Sequence, residues 1–206
     1  MARYNGPKGK LARRFGMNVF EAPKYDRLLA RRSKPPGQHG DKQFHKKQSD
    51  YSLQLQEKQK VRFMYGLQEK QFRRTFDLAA KQKGITGDNL LILLERRLDN
   101  VVFRAGFAHT RMQARQMVNH GHLLVNNRRV DIPSSRIKAG DIVSIADKSK
   151  SKKMAAGIIE DNPVFHYPEW LTVEKEKQSF TVTRLPLRDD VTKDINEHLI
   201  VEFYSK

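Results

Sequence analysis

The chain has 206 residues, with 40 Lys and Arg against 23 Asp and Glu, and a formal net charge of +17. That length can bury one sizeable core or two small ones, and that charge points to a polyanionic partner rather than a neutral or acidic one. No apolar run approaches the ~20 residues needed to span a bilayer. No signal-peptide pattern opens the sequence. The lack of cysteine excludes disulfides and thiolate metal sites and fits a cytoplasmic protein. Residues 1–50 carry a net +9, residues 51–159 a net +12 and residues 160–206 a net −4. A phosphate-rich partner should therefore avoid the last segment and leave it to water or protein.

Residues 1–47 read as a basic arm. Arg3, Tyr4, Lys8, Lys10, Arg13 and Arg14 lie in an opening with almost no periodicity. Arg27, Arg31, Arg32 and Lys34 come next on a short amphipathic stretch with Leu28 and Leu29, and Lys46 and Lys47 close the arm. Between them Pro35-Pro36-Gly37-Gln38-His39-Gly40 must turn, leaving the Gln38 amide and His39 imidazole pointing outward. A disordered linker is the plainer reading. Tyr4, Phe15, Phe20, Tyr25 and Phe44 argue instead for a segment that orders on contact, because aromatic rings pack or stack on bases.

From Ser49 or Ser52 the period becomes helical. Leu55, Val61, Met64 and Tyr65 should face inward and Lys58, Lys60 and Arg62 outward or to the flanks, with Gly66 at the end. Glu69 to Lys81 forms the next helix, with Phe72, Phe76, Ala79 and Ala80 on one side, Arg73 and Arg74 on the other, and Gly84 after it. A further helix starting between Thr86 and Asn89 should carry Leu90, Leu91, Leu94, Leu98, Val101 and Val102 as far as Gly106.

Thr110 then caps a second helix, with Gln113 completing a capping box. Its inner face is Ala114, Met117 and Val118; its outer face is Arg111, Arg115, Asn119 and His122, flanked by Gln116 and His120. Leu123-Leu124-Val125, a left-handed Asn126-Asn127 turn and Arg128-Arg129-Val130 make a hairpin, and Asp141 to Ile145 a closing strand. Residues 147–153 read as a flexible basic exit and 154–159 as a short helix. Trp170–Val173 and Phe180–Thr183 read as extended pieces, and either Asp189 or Asp190 caps a last helix. Trp170 is expected in a core.

One surface thus gathers a capped helix N-terminus at Thr110, Arg111 and Arg115 one turn apart, His120, and a hairpin bearing Asn127, Arg128 and Arg129. Such an arrangement suits phosphate oxygens. A solvated basic face on an ordinary α+β unit is the alternative. No P-loop, nucleophile elbow or zincin motif is present. His120-Gly121-His122 and the His39/His45 pair lack a third metal ligand at recognisable spacing.

The order H-T-R-x-x-A-R-x-x-V, L-L-V-N-N-R-R-V and G-D-x-V-x-I resembles the small α-L RNA-binding module shared by a ribosomal protein, some pseudouridine synthases and a few aminoacyl-tRNA synthetases. The opening M-A-R-Y-x-G-P-K, the P-P-G-Q-H-G turn, S-D-Y-x-L-Q-L-x-E-K-Q-K-V-R-x-x-Y-G, E-K-Q-F-R-R and the ending I-N-E-x-L-I-V-E-F-Y-S-K extend the resemblance over the whole chain. They resemble the bacterial small-subunit ribosomal protein four family. An enzyme using the module as an anchor would need a second, reactive domain, and no stretch of the chain supplies one.

That resemblance implies an α+β chain: a basic arm (1–47), a mainly helical domain (48–94 with 158–206) and an inserted α-L domain (95–157) of two helices and a short antiparallel sheet. It implies no enzymatic activity, no cofactor, no small-molecule substrate and no membrane. The implied partner is 16S rRNA, at a multi-helix junction of the 5′ domain, where the protein nucleates assembly of the subunit body. It further implies contact with ribosomal protein five at a surface affecting decoding accuracy, nearness to where mRNA enters the subunit, and in some members repression of their own operon. The implied rRNA contacts are the arm, residues 36–40, Lys58, Arg62, Arg73 with Arg74, Arg111, Arg115, His120 and Arg128. Many members bind zinc through cysteines in the arm, beginning with a C-x-x-C pair. Gly9 and Ala12 stand at the corresponding positions here, so the arm must be ordered by its own packing and by RNA.

Overall fold

The structure is a computed structural model that describes residues 4–40, 47–147, 149–161, 166–191 and 194–205. By its internal contacts the chain divides into two compact units, residues 1–87 with 194–206, and residues 88–193. The described residues hold nine α-helices, one 3-10 turn and five strands, an α+β architecture.

In the first unit the arm is more regular than its sequence suggests. Helix α1 (Lys8–Phe15) buries only Leu11 and Ala12 and ends at left-handed Gly16, with φ of 66°. Pro23 occupies the first turn of α2 (Pro23–Arg31), where its missing N–H costs nothing. Ala12, Ala22 and Tyr25 pack with Phe20, Leu28 and Leu29 into a small core. Gly9 permits this approach, because a Cβ there would sit 2.8 Å from Leu28 Cδ2. Gly9 and Ala12, the positions that the resemblance sets against a C-x-x-C pair, thus lie at a helix–helix contact. Arg13 fastens the segment beyond α2: its Nε donates to Lys34 O at 2.9 Å and its Nη2 to Pro35 O at 3.2 Å.

Helix α3 (Asp50–Met64) is capped by Ser49, whose hydroxyl accepts from Ser52 N, and stops at Gly66, with φ of 62°. Val61, Met64 and Tyr65 face inward as expected, whereas Leu55 is only half-buried. Lys58, expected outward or on the flanks, is buried, as are Gln54 and Glu57. The cause is the C-terminal helix of the chain, which lies along α3. Gln54 Nε2 donates to Glu202 at 2.8 Å, and Asn196 N donates to Glu57 Oε1 at 2.8 Å. Helix α4 (Glu69–Ala80) buries Phe72, Phe76 and Ala79 and leaves Arg73 and Arg74 exposed.

Helix α5 (Thr86–Glu95) opens the second unit. The continuous helix expected as far as Gly106 is broken at Arg96–Arg97 and resumes as α6 (Leu98–Arg104). Arg97 is extended and bridges to Arg136, while Leu98 N donates to Ser135 O and Ile137 N to Arg96 O, each at 2.9 Å. The 133–137 segment thus takes backbone groups that a continuous helix would have used itself. Helix α7 (Arg111–Asn119) comes next, with Ala114, Met117 and Val118 in the core.

Strands β1 (Leu123–Val125), β2 (Arg128–Arg129) and β3 (Ile142–Ile145) form the expected hairpin and closing strand. Asn126 and Asn127 have φ of 49° and 62°. Side chains alternate, so Leu123, Val143 and Ile145 point into the core. Residues 149–161 form one helix, α8, rather than a flexible basic run. Ser151 is fully buried beside His122 Nδ1 at 2.8 Å, and Ala155 and Ile158 pack inward.

The extended pieces are β4 (Leu171–Glu174) and β5 (Ser179–Val182). They complete an antiparallel sheet of order β2-β1-β3-β5-β4. Trp170 is 1% exposed in its core with Leu171, Phe180 and Val182. The unit boundary at 193/194 goes with this pairing, residues 171–182 lying in the sheet, whereas the resemblance implies a grouping of 158–206 with the helices. The last helix, α9 (Glu197–Ser205), begins after both Asp189 and Asp190, which lie in the 3-10 turn Arg188–Asp190. Asp190 is ion-paired with Arg184, Oδ1 lying 2.9 Å from Nη2.

Candidate nucleic-acid interface

In the second unit the N-terminus of α7 is assembled as its sequence specifies. Thr110 Oγ1 accepts from Gln113 N at 3.2 Å, and Gln113 Oε1 takes the N–H of His109 at 2.9 Å, one residue before the cap. The arginines beside it are not loose surface groups. Arg111 is 8% exposed, donates from Nε to Asn100 Oδ1 at 2.8 Å, and lies 4.6 Å over the Phe103 ring. Arg115 has a half-buried side chain with Nη1 3.7 Å from Asp99 Oδ2. Burial pushes its guanidinium below the ordinary value, the Arg97 charge adds to this, and Asp99 opposes it. An arginine still keeps its charge at any working pH.

Behind these two lies a buried polar chain that periodicity does not single out. Asp99 accepts Arg97 Nη2 at 2.8 Å and Nε at 3.1 Å, and also the N–H of Asn100 at 3.0 Å. Glu95, 1% exposed, accepts Asn100 Nδ2 at 2.6 Å and Arg104 Nη2 at 3.0 Å. With its amide nitrogen held by Glu95, Asn100 must present Oδ1 to Arg111. Two carboxylates thus fix four arginines, Arg97, Arg104, Arg111 and Arg115, and the cluster keeps an excess of positive charge. The signal in sequence is E-R-R-L-D-N, with charged residues at a helix start surrounded by leucine and valine.

The hairpin supplies the exposed cations. Asn126 is committed to β3: its Oδ1 accepts Ile142 N and its Nδ2 donates to Asp141, each at 2.9 Å. Asn127, Arg128 and Arg129 are exposed. Arg129 folds against Gly121, whose φ of 65° is the left-handed conformation that favours glycine. His120 is exposed, its ring 5.9 Å from that of His122.

In the first unit Lys10, Arg14, Arg31, Arg32, Gln38, His39 and Lys47 are exposed, and Pro36 is half-buried beside Gly37, whose φ is 105°. Tyr4 packs edge-on against Phe63 at 5.1 Å, and Lys8 lies 5.8 Å over Phe20. Arg3 and Lys46 lie outside the described residues. Three cations serve packing as well. Lys58 is 2.8 Å from Glu69 and 4.8 Å over Phe203; Arg62 lies 4.4 Å over Phe63; Arg73 bonds Asp77 at 3.1 Å and stands 4.8 Å over Tyr204. Burial alone would raise the Glu69 carboxyl. Hydrogen bonds from Lys58 and Tyr204, with the charges of Lys58 and Arg62, hold it below its usual range. The Tyr204 hydroxyl is pushed well above the usual phenol range by burial and by its bond to Glu69, at 2.9 Å.

Residues 3–95 match the Ribosomal protein S4/S9 N-terminal domain family, and residues 96–143 match the S4 domain family, so the buried arginine cluster and the hairpin fall within the second. Both matches are to families of a structural, RNA-binding ribosomal protein. The chain is 49% identical to the small ribosomal subunit protein uS4 of Chloroflexus aurantiacus, 51% to that of a Geobacillus species and 48% to that of Opitutus terrae. All of this chain and all of each relative is covered. It belongs to the uS4 family of small ribosomal subunit proteins, which in bacteria are cytoplasmic. No helix among the described residues is long and apolar enough to cross a membrane.

Proposed function

We propose that the chain binds 16S rRNA at a multi-helix junction of the 5′ domain and there nucleates assembly of the subunit body. The arm (1–47) and the unit of residues 88–193 act as separate grips, and the helical remainder of the first unit (48–87 with 194–206) adds cations of its own. The observation that carries this reading is the second unit's surface: a capped helix N-terminus beside arginines that buried carboxylates hold in place, next to the exposed Arg128–Arg129 hairpin. Such a surface positions phosphates and reads shape without base-specific pairing. The exposed members of the arm add cations, while Lys58 contributes mainly to packing.

Protein contact falls to a groove of the first unit lined by Asp50, Leu53, Gln54, Leu199, Glu202 and Ser205, with Leu53 exposed. Its two carboxylates, Asp50 and Glu202, suit a basic patch on a partner protein; by the family resemblance that partner is ribosomal protein five, and an effect on decoding accuracy would be exercised there. The family resemblance adds nearness to incoming mRNA and, as in some members, repression of their own operon, for which the same cations would serve.

The test is binding to a 16S 5′-domain fragment over a salt series. The log–log slope should be steep, with roughly 0.7–0.9 contributed by each neutralised phosphate. A flat response, or equal affinity for an unrelated structured RNA, would overturn the reading.

A further inference from the structure

We propose that Arg96 and Arg136, with Lys138 next along the same segment, form an additional phosphate site for the backbone of a bound RNA strand. The site is created by the break between α5 and α6. The Arg97–Arg136 bridge, together with the Leu98 N–Ser135 O and Ile137 N–Arg96 O bonds, fixes residues 135–137 against the helix break. Arg96 is itself fastened, its Nε donating to Ile137 O at 3.0 Å, so its remaining guanidinium donors have a set direction. Arg136 and Lys138 are exposed.

The local charge balance favours an anion. Burial and the neighbouring Arg136 charge both press the Arg96 guanidinium below its ordinary value, so the two arginines repel one another in the protein alone. The carboxylate that offsets Arg96, Asp141, is one charge against the three of Arg96, Arg136 and Lys138, and it is held in place: Oδ1 accepts Asn126 Nδ2 at 2.9 Å and Oδ2 accepts the Lys138 N–H at 2.7 Å. Those bonds also tie the site to the Asn126–Asn127 turn, so a strand following the Arg128–Arg129 hairpin would meet it. A phosphate between Arg96 and Arg136 gains charge-assisted hydrogen bonds and removes the repulsion. Sequence periodicity does not bring the two arginines together, since it makes Arg96 one residue within a continuous helix.

The inference rests on the rRNA-binding reading, and one experiment separates the two. Wild type, Arg136→Gln and Arg136→Glu are compared for thermal unfolding and for binding to the 16S 5′-domain fragment across a salt series. The glutamine variant should bind several-fold more weakly with a slope smaller by about 0.7–0.9, the share of one phosphate. Its unfolding midpoint should be equal or higher, because a repulsion is gone. The glutamate variant supplies an internal anion for Arg96, so it should unfold at a higher temperature and bind RNA more weakly still. A basic residue with a purely structural role would lower the unfolding midpoint when replaced. Wild-type affinity and slope in both variants would overturn the phosphate site and leave an acidic protein surface as its occupant. A lowered midpoint in both would overturn the repulsion on which it depends. A flat salt response of the wild type would refute the broader reading along with this one.

Discussion

Replacement of Asp99 by asparagine tests whether the buried carboxylates hold the arginine cluster together. Asp99 is 4% exposed and bonded by Arg97 through Nε at 3.1 Å and Nη2 at 2.8 Å, and Arg97 is itself 6% exposed. Asparagine keeps the shape and one acceptor but leaves a buried guanidinium without its counter-charge. Breaking such a pair from one side costs about 3–5 kcal/mol. That is a large share of the ~5–15 kcal/mol typical of a folded domain, and it should lower the melting temperature by about 10 °C or more. Urea unfolding followed by circular dichroism reads the loss. RNA binding gives a second, opposite-signed check. The substitution adds a positive charge to the net balance, so binding governed by charge alone would be no weaker, whereas binding that needs Arg115 held by Asp99 would fall. A loss of stability under about 1 kcal/mol, with RNA affinity unchanged or improved, would refute the positioning role.

The first unit should respond to pH at both ends of the range through Glu69 and Tyr204. Glu69 has a lowered folded value, so its contribution is present above the ordinary carboxyl value of 4.5 and is lost as pH falls through the folded one. Glu69→Gln should flatten that acid limb in a denaturation series. Tyr204 is held protonated, so its contribution is complete below the ordinary phenol value of 10.0 and fades as pH rises beyond it. Tyr204→Phe should remove the alkaline limb and lose roughly 1 kcal/mol at neutral pH for the bond to Glu69. Arg13→Ala releases the carbonyls of Lys34 and Pro35. Limited proteolysis should then cut faster between residues 32 and 40, with the thermal stability of the second unit unchanged; equal cutting rates would show that the tether is dispensable.

Where local signals and tertiary packing agree, the chain is legible from its residues. Thr110 and Gln113 mark the start of α7, Gly121 its end, and Asn126-Asn127 the hairpin, because each is dictated by backbone chemistry within a few residues. Trp170 and its neighbours are recognisable as extended, but not as part of the sheet, since nothing local encodes that β5 pairs with β3. Helix α1 is hidden because K-G-K-L-A-R-R-F offers only Leu11 and Ala12 to a core that α2 completes.

At the basic surface, periodicity errs in a consistent direction. It sets Arg111 and Lys58 on polar faces. Phe103 and Asn100 from α6 cover the first, and Phe203 and Tyr204 from the far end of the chain cover the second. A long cationic side chain can lie under an aromatic ring and keep its charge paired, a possibility that a two-letter apolar–polar pattern does not represent. For the same reason, the double change Arg111→Ala with Arg115→Ala is not the surface substitution its spacing suggests, since it empties a buried pocket as well as removing charge.

The small core between α1 and α2 has a consequence for the environments in which the arm keeps its shape. Its side chains, among them Ala12, Ala22, Tyr25 and Leu28, include neither a thiol nor an imidazole. Thiol-directed oxidants have no cysteine to act on in this chain, and a chelator draws nothing out of a contact made of apolar side chains, so the α1–α2 packing should be the same under oxidising and reducing conditions.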